Sequence, residues 1–167
     1  VALEVLARIE DDGAFANLVL SGALDRPGLT GEDRRLVTDL VYGTLRRRRA
    51  MDHLVDRFLT TEPPSSARRV LRLGAYQLVH RADIPDYAAV STTVAAAPKR
   101  FRGLTNAVLR KVAAAPVEFP DDATELSYPD WLVELLRTDL GPAEADAPRR
   151  AMSGAARPTI RPGGYTQ

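Results

Sequence analysis

The chain contains no cysteine, which excludes disulfides, thiolate metal sites and a cysteine nucleophile within it. Histidine is nearly absent too: only His53 and His80 occur, and neither has the HxxxH or HxxE spacing of a metal-binding helix. No apolar run approaches the length needed to cross a bilayer. The first residues lack the charged, apolar, small-residue succession of a secretory signal, so a cytoplasmic location is expected. The dinucleotide motif GxGxxG, the phosphate-binding P-loop and the GxSxG nucleophile turn are also missing. Asp11-Asp12 and Asp121-Asp122 fall beside turns, where solvated or capping roles account for them better than an acid/base pair. No catalytic, cofactor or metal residue is therefore expected in this chain. It starts at Val1 rather than at methionine, which points to a piece of a longer protein.

What is present is a set of short helical patterns. Of the 167 residues, 45% are hydrophobic, enough for one domain with a core. Leu3, Leu6 and Ala7 form a helical stripe that Gly13 ends, and Asn17 to Leu24 reads as a second short helix. Thr30 with Asp33 three residues on is a variant capping box. It opens a helix whose apolar rows are Leu36, Leu40 and Thr44 beside Val37, Val41 and Leu45. A short helix follows through Leu54, Val55, Phe58 and Leu59 until Pro63-Pro64. Ser65 or Ser66 is expected to cap the next, which carries Gly74 mid-helix. Glycine there costs about 1 kcal/mol against alanine, a cost explained if another helix approaches closely. Pro85 to Pro98 bounds a further helix, and Leu104 to Leu109 marks another. Nothing alternates like a strand, so the fold class expected is all-α. From residue 114 onward the Ala/Pro-rich text reads as a linker, then as a connector helix capped by Ser127-Tyr-Pro-Asp130 and anchored by Trp131. Met152 to Gln167 reads as the start of something further. The expected division is 1–113 and 114–167.

The net charge of +1 conceals an uneven distribution: −3 over residues 1–29, +8 over 30–111 and −4 over 112–167. A basic middle between acidic ends is the footprint of an anion-binding surface. The candidates for RNA contact are Arg46, Arg47, Arg48 and Arg49, then Arg68, Arg69 and Arg72, then Lys99, Arg100 and Arg102; Arg110 and Lys111 end the last bundle helix. Forked guanidinium donors match two phosphate oxygens at once. The run 46–49 covers about one helical turn at roughly 100° per residue, so it cannot all face one way. Unpaired bases also need flat platforms, for which Tyr42, Tyr76, Tyr87 and Phe101 are available. Each of these is at least as well suited to the core.

Four stretches carry a resemblance: LVTDLVYGTLRRRR at 36–49, VLRLGAYQLVHRADIPDYAAV at 70–90, GLTNAVLRKV at 103–112 and LSYPDWLVELL at 126–136. The first three are similar to the NusB family, which includes the transcription antitermination factor. With the fourth, the order resembles the N-terminal region of bacterial ribosomal RNA cytosine-C5 methyltransferases of the RsmB (Sun, Fmu) kind. The resemblance implies a NusB-like fold of two packed three-helix bundles, followed by a helical connector, and it implies RNA binding. It further implies ribosomal RNA as partner. S-adenosylmethionine and a cysteine nucleophile would belong to a downstream domain whose motifs match nothing here. The family leaves three other occupants open: the chain's own methyltransferase domain, a second copy, or a ribosomal protein. It also leaves open a protein-interaction role or a free-standing antitermination factor.

Overall fold

The computed structural model of the chain describes residues 1–141, so the reading of Met152 to Gln167 lies outside the described residues. Those described form helices and no strand: α1 (Ala2–Asp12), α2 (Ala16–Leu24), α3 (Gly31–Arg46), α4 (Arg48–Asp56), α5 (Ser65–His80), α6 (Asp86–Ala96), α7 (Arg102–Ala114), α8 (Asp122–Leu126) and α9 (Asp130–Leu140). A short 3₁₀ turn, Lys99–Phe101, leads into α7. The all-α expectation holds.

Helices α1, α2 and α3 contact one another pairwise, as do α5, α6 and α7. These are the two three-helix bundles, and α5 joins them by touching α1 and α3 as well. Its sequence explains this central place. Every residue from Ala67 to Gln77 is buried, so the helix has no solvent stripe in its middle. The expected glycine contact is present: a Cβ on Gly74 would stand 2.4 Å from Leu109 Cδ1 on α7 and 3.1 Å from Thr93 Cγ2 on α6. Gly43 is tighter still. A Cβ there would lie 2.0 Å from Cζ of Tyr76, because the tyrosine ring rests on the backbone of α3 and its hydroxyl donates to Asp39 at 3.1 Å.

Local signals set most helix ends. Thr30 and Asp33 form the full capping box, with the Asp33 amide donating to Thr30 Oγ1 at 3.1 Å and the Thr30 amide to Asp33 at 2.9 Å. Gly13 closes α1 in the left-handed region at φ 66°, where glycine carries no steric penalty. Two expected caps differ. Pro64, not Ser65 or Ser66, precedes α5, with no side-chain cap. Pro129 precedes α9, while the hydroxyl of Ser127 accepts from the Ala50 amide at 2.9 Å. Ser127 thus caps the first turn of α4, 77 residues away in sequence.

The chain divides into two compact units at Ser127/Tyr128. Residues 115–127 are held to the first unit by several ties. The Phe119 ring packs at a 45° tilt against His53, centroids 6.0 Å apart, Arg57 donates to the Pro116 carbonyl at 2.9 Å and Arg47 to the Glu125 carbonyl at 3.0 Å. Asp121 caps α8 by accepting from Thr124 N at 2.7 Å. Prolines exclude helix here, but they do not exclude packing. In the second unit, Trp131 is no core anchor: it is 67% exposed, and Val133 is the buried residue of α9.

Candidate nucleic-acid interface

The ten basic side chains singled out from the sequence separate into two kinds. Arg68, Arg69 and Arg72 turn inward, each less than a tenth exposed. They occupy the N-terminal half of α5, which packs between α1 and α4, and both neighbours present carboxylates. Arg68 donates to Glu62 at 2.6 Å, Asp56 at 2.7 Å and Asp52 at 3.2 Å. Arg69 donates to Glu10 at 2.9 Å and also to Asp11. Arg72 grips Asp52 with Nε and Nη2, at 2.6 and 2.8 Å, and reaches Glu10 at 3.0 Å. Burial works against the charge of Arg68, yet its bonds to Glu62, Asp56 and Asp52 reverse that and hold its pKa above the usual range. These three guanidinium groups have their donors committed to carboxylates. A phosphate would have to displace those partners, and Glu10 and Asp52, the two that are largely buried, would be left desolvated without their arginines, at several kcal/mol. Buried and paired in this way, Arg68, Arg69 and Arg72 staple α1, α4 and α5 together.

The run 46–49 straddles a helix break, since α3 ends at Arg46 and α4 starts at Arg48. The break splits it as the turn geometry requires. Arg47 is spent on the Glu125 carbonyl. Arg49 is half-buried, and its charge helps lower the pKa of Asp121, after the larger effect of the Thr124 amide. Arg46 and Arg48 are exposed and make no ion pair among the described residues.

At the junction of α6 and α7, Lys99, Arg100 and Arg102 are all exposed. Arg102 is partly consumed, donating to the Ala95 and Ala97 carbonyls at 2.9 and 3.3 Å and so capping the end of α6. Arg100 lies over the Phe101 ring at 4.5 Å, a cation–π contact that leaves its outer donors free. At the other end of α7, Arg110 and Lys111 are exposed.

Several of these cations share one end of the bundle. The charge of Arg46 is felt by Tyr76 and that of Arg47 by His80, so α3 and α5 finish close together. Arg81 closes α5 and pairs with Asp39 and Asp83, at 2.9 and 2.6 Å. Five residues further on α6 begins, and its first turn shares a groove with the last turns of α7. Helices α3, α5 and α7 therefore run out where Arg46, Arg81, Arg110 and Lys111 sit, and the partial negative charge of helix C-termini favours cations there. His80 packs at a 35° tilt against Tyr76, centroids 5.2 Å apart. Burial first, and then the charge of Arg47, push the His80 pKa below its ordinary value, so it adds no further cation near neutrality.

Of the four aromatic candidates, Tyr76 is buried, with its pKa pushed up to about 12 by burial and then by Asp39. Tyr42 packs against the core, and Phe101 is half-buried under Arg100. Tyr87 alone of the four is open, at 77% exposure. Sequence reading missed Ser91, one turn after Tyr87 on α6, and Asn106, one turn before Arg110 on α7, which line the same groove; only their solvent-side helical phase marked them.

A family model described as the NusB family matches residues 1–114. The chain belongs to the NusB family. The match covers α1 to α7, the two bundles and the cations just described. The relatives include proteins named "Ribosomal RNA small subunit methyltransferase B". That of Thermus thermophilus is 42% identical, over 84% of this chain and 35% of its own length. Those of Xanthomonas campestris and Xylella fastidiosa are each 34% identical, over 84% of the chain and 33% of their own lengths. The chain thus spans about a third of these relatives. The resemblance read from the four motifs is confirmed at the level of the family, its fold and the named relatives.

Proposed function

We propose that this chain is the RNA-holding part of a ribosomal RNA methyltransferase, acting in the cytoplasm and recruiting ribosomal RNA for a reaction carried out elsewhere in a longer protein. The observation that carries this reading is the sorting of the cations. Arg46, Arg48, Lys99, Arg100, Arg110 and Lys111 are exposed without ion pairs among the described residues, whereas the arginines turned inward are neutralised. Exposed guanidinium and ammonium groups attract phosphate and release counterions on binding.

The finer reading follows from the relatives' names and the connector motif. The product would be a cytosine methylated at its five position, and S-adenosylmethionine would supply the methyl group. That methyl-transfer chemistry is assigned to the rest of the longer protein: among the described residues no strand leads into a glycine-rich turn, and the sequence has no cysteine for a covalent step. Its own chemistry is to bind and orient RNA.

Titration of the chain with 16S ribosomal RNA fragments over a series of salt concentrations tests the reading. Binding that weakens steadily with salt is expected. Binding that ignores salt, or no binding at low salt, refutes it.

A further inference from the structure

We propose that the groove between α6 and α7 is a subsite for one unpaired base of single-stranded RNA, with Tyr87 as the stacking surface and Arg110 as the phosphate contact. The inference rests on the RNA-binding reading and makes it local.

Tyr87 is the second residue of α6 and points into solvent at 77% exposure. An exposed tyrosine on a helix loses apolar burial without compensation, unlike Tyr76, which fills the space over Gly43. The groove beside it has a volume of about 440 Å³, within the range of small-ligand sites. Its walls are low. Ser91, Ala113 and Ala114 line it, and side chains this short leave room for a flat ring to slide against the tyrosine face.

The polar groups are placed for a nucleotide. Asn106 and Arg110 stand four residues apart on α7 and line the same groove, as an i, i+4 pair does on one helix face. The Asn106 amide offers both donor and acceptor to a base edge. Arg110 is exposed and makes no ion pair among the described residues, so its fork is available for phosphate. Asp86, on the opposite wall in the first turn of α6, is favoured there by the helix dipole. It repels phosphate and directs it toward Arg110, and it can accept from an exocyclic amine of the base. This mixture of one ring, one cation and short polar groups fits a nucleotide better than an apolar peptide anchor, which would want a deeper apolar pocket. The groove also lies toward the bundle end where α3 finishes with the exposed Arg46, so a strand leaving it meets a further cation.

The test uses the full chain and two labelled twelve-nucleotide probes, oligo(A) and an abasic ribose-phosphate strand, read by fluorescence anisotropy. Tyr87→Ala is expected to weaken oligo(A) binding about tenfold, from the usual worth of base–aromatic stacking, and to leave the abasic strand unaffected. Tyr87→Phe keeps wild-type affinity. Arg110→Gln weakens both probes and reduces the salt slope by about 0.7. Both side chains are exposed, so circular dichroism and melting of the variants should match the wild type. Equal losses on both probes with Tyr87→Ala overturn the stacking subsite. So does no loss at all while Arg46→Gln weakens binding, a result that leaves the general RNA reading intact. Failure of the wild-type chain to bind either oligo(A) or ribosomal RNA overturns both. A dimer by sedimentation that Tyr87→Ala dissociates, with RNA affinity unchanged, assigns the groove to a second copy and also overturns the proposal.

Discussion

Replacing Arg72 with methionine separates the structural arginines from the RNA-facing ones. The substitution keeps a side chain of similar length but deletes the two bonds to Asp52 and the one to Glu10. Removing one partner of a buried pair usually costs about 3–5 kcal/mol, because the other charge is left desolvated and alone. Here the lower end applies. The Asp52 and Glu10 side chains keep 24% and 12% exposure, and each retains a second arginine, Arg68 at 3.2 Å and Arg69 at 2.9 Å. A loss of roughly 3 kcal/mol corresponds to a melting temperature lowered by about 6–12 °C for a chain of this size. That leaves the fold intact at room temperature if its stability is within the ordinary range of about 5–15 kcal/mol. Calorimetry supplies the melting temperature, and RNA titration well below it supplies the affinity. The expected result is a large drop in the first and no change in the second, with Asp52→Asn in the same chain recovering part of the loss. An Arg72→Met protein that melts like the wild type but has lost RNA affinity would refute the assignment of α5 as the interior staple.

Three further outcomes follow from the packing. Gly43→Ala pushes a methyl group into the Tyr76 ring and should destabilise by about 1–3 kcal/mol, with Tyr76→Leu in the same chain relieving the clash; chemical denaturation measures both. Ser127→Ala removes the cap on the Ala50 amide and should cost about 1 kcal/mol, together with faster hydrogen exchange in the first turn of α4. The phenol of Tyr76, raised from 10.0 to about 12, favours the folded state while protonated. Its contribution is complete below pH 10 and is lost as pH rises through 12. Ultraviolet titration should show a late-ionising tyrosine that Tyr76→Phe deletes.

The helices were legible because their signals are local. Thr30 with Asp33, Gly13, and Pro85 to Pro98 act within a few residues, and the structure places helix ends beside each. Gly74 was legible as a close approach, though not which side chain approaches. The rest depended on contacts distant in sequence. Nothing around Arg69 announces Glu10, 59 residues earlier. An arginine pair at helical spacing looks the same whether it faces water or carboxylates, so α5 was read as basic surface. The same limit hid α8: Pro116 and Pro120 mark the absence of helix but say nothing of Phe119 against His53, or of Ser127 capping α4. Trp131 was assigned to a core by residue type, and its position at the start of α9 leaves it in solvent instead. For the site, geometry constrained the 46–49 run in advance, because four residues on one turn cannot share a face. Which two stay exposed depended on the Glu125 carbonyl and on Asp121.

The salt dependence of RNA binding tests the central claim most directly. If Arg46, Arg48, Arg110 and Lys111 each meet a phosphate, the logarithm of the affinity for a single-stranded 16S fragment should fall against the logarithm of salt with a slope of about −3. Changing these four to glutamine should remove most of that slope without lowering the melting temperature. A slope near zero in the wild-type chain, or one that survives the fourfold substitution unchanged, contradicts the account.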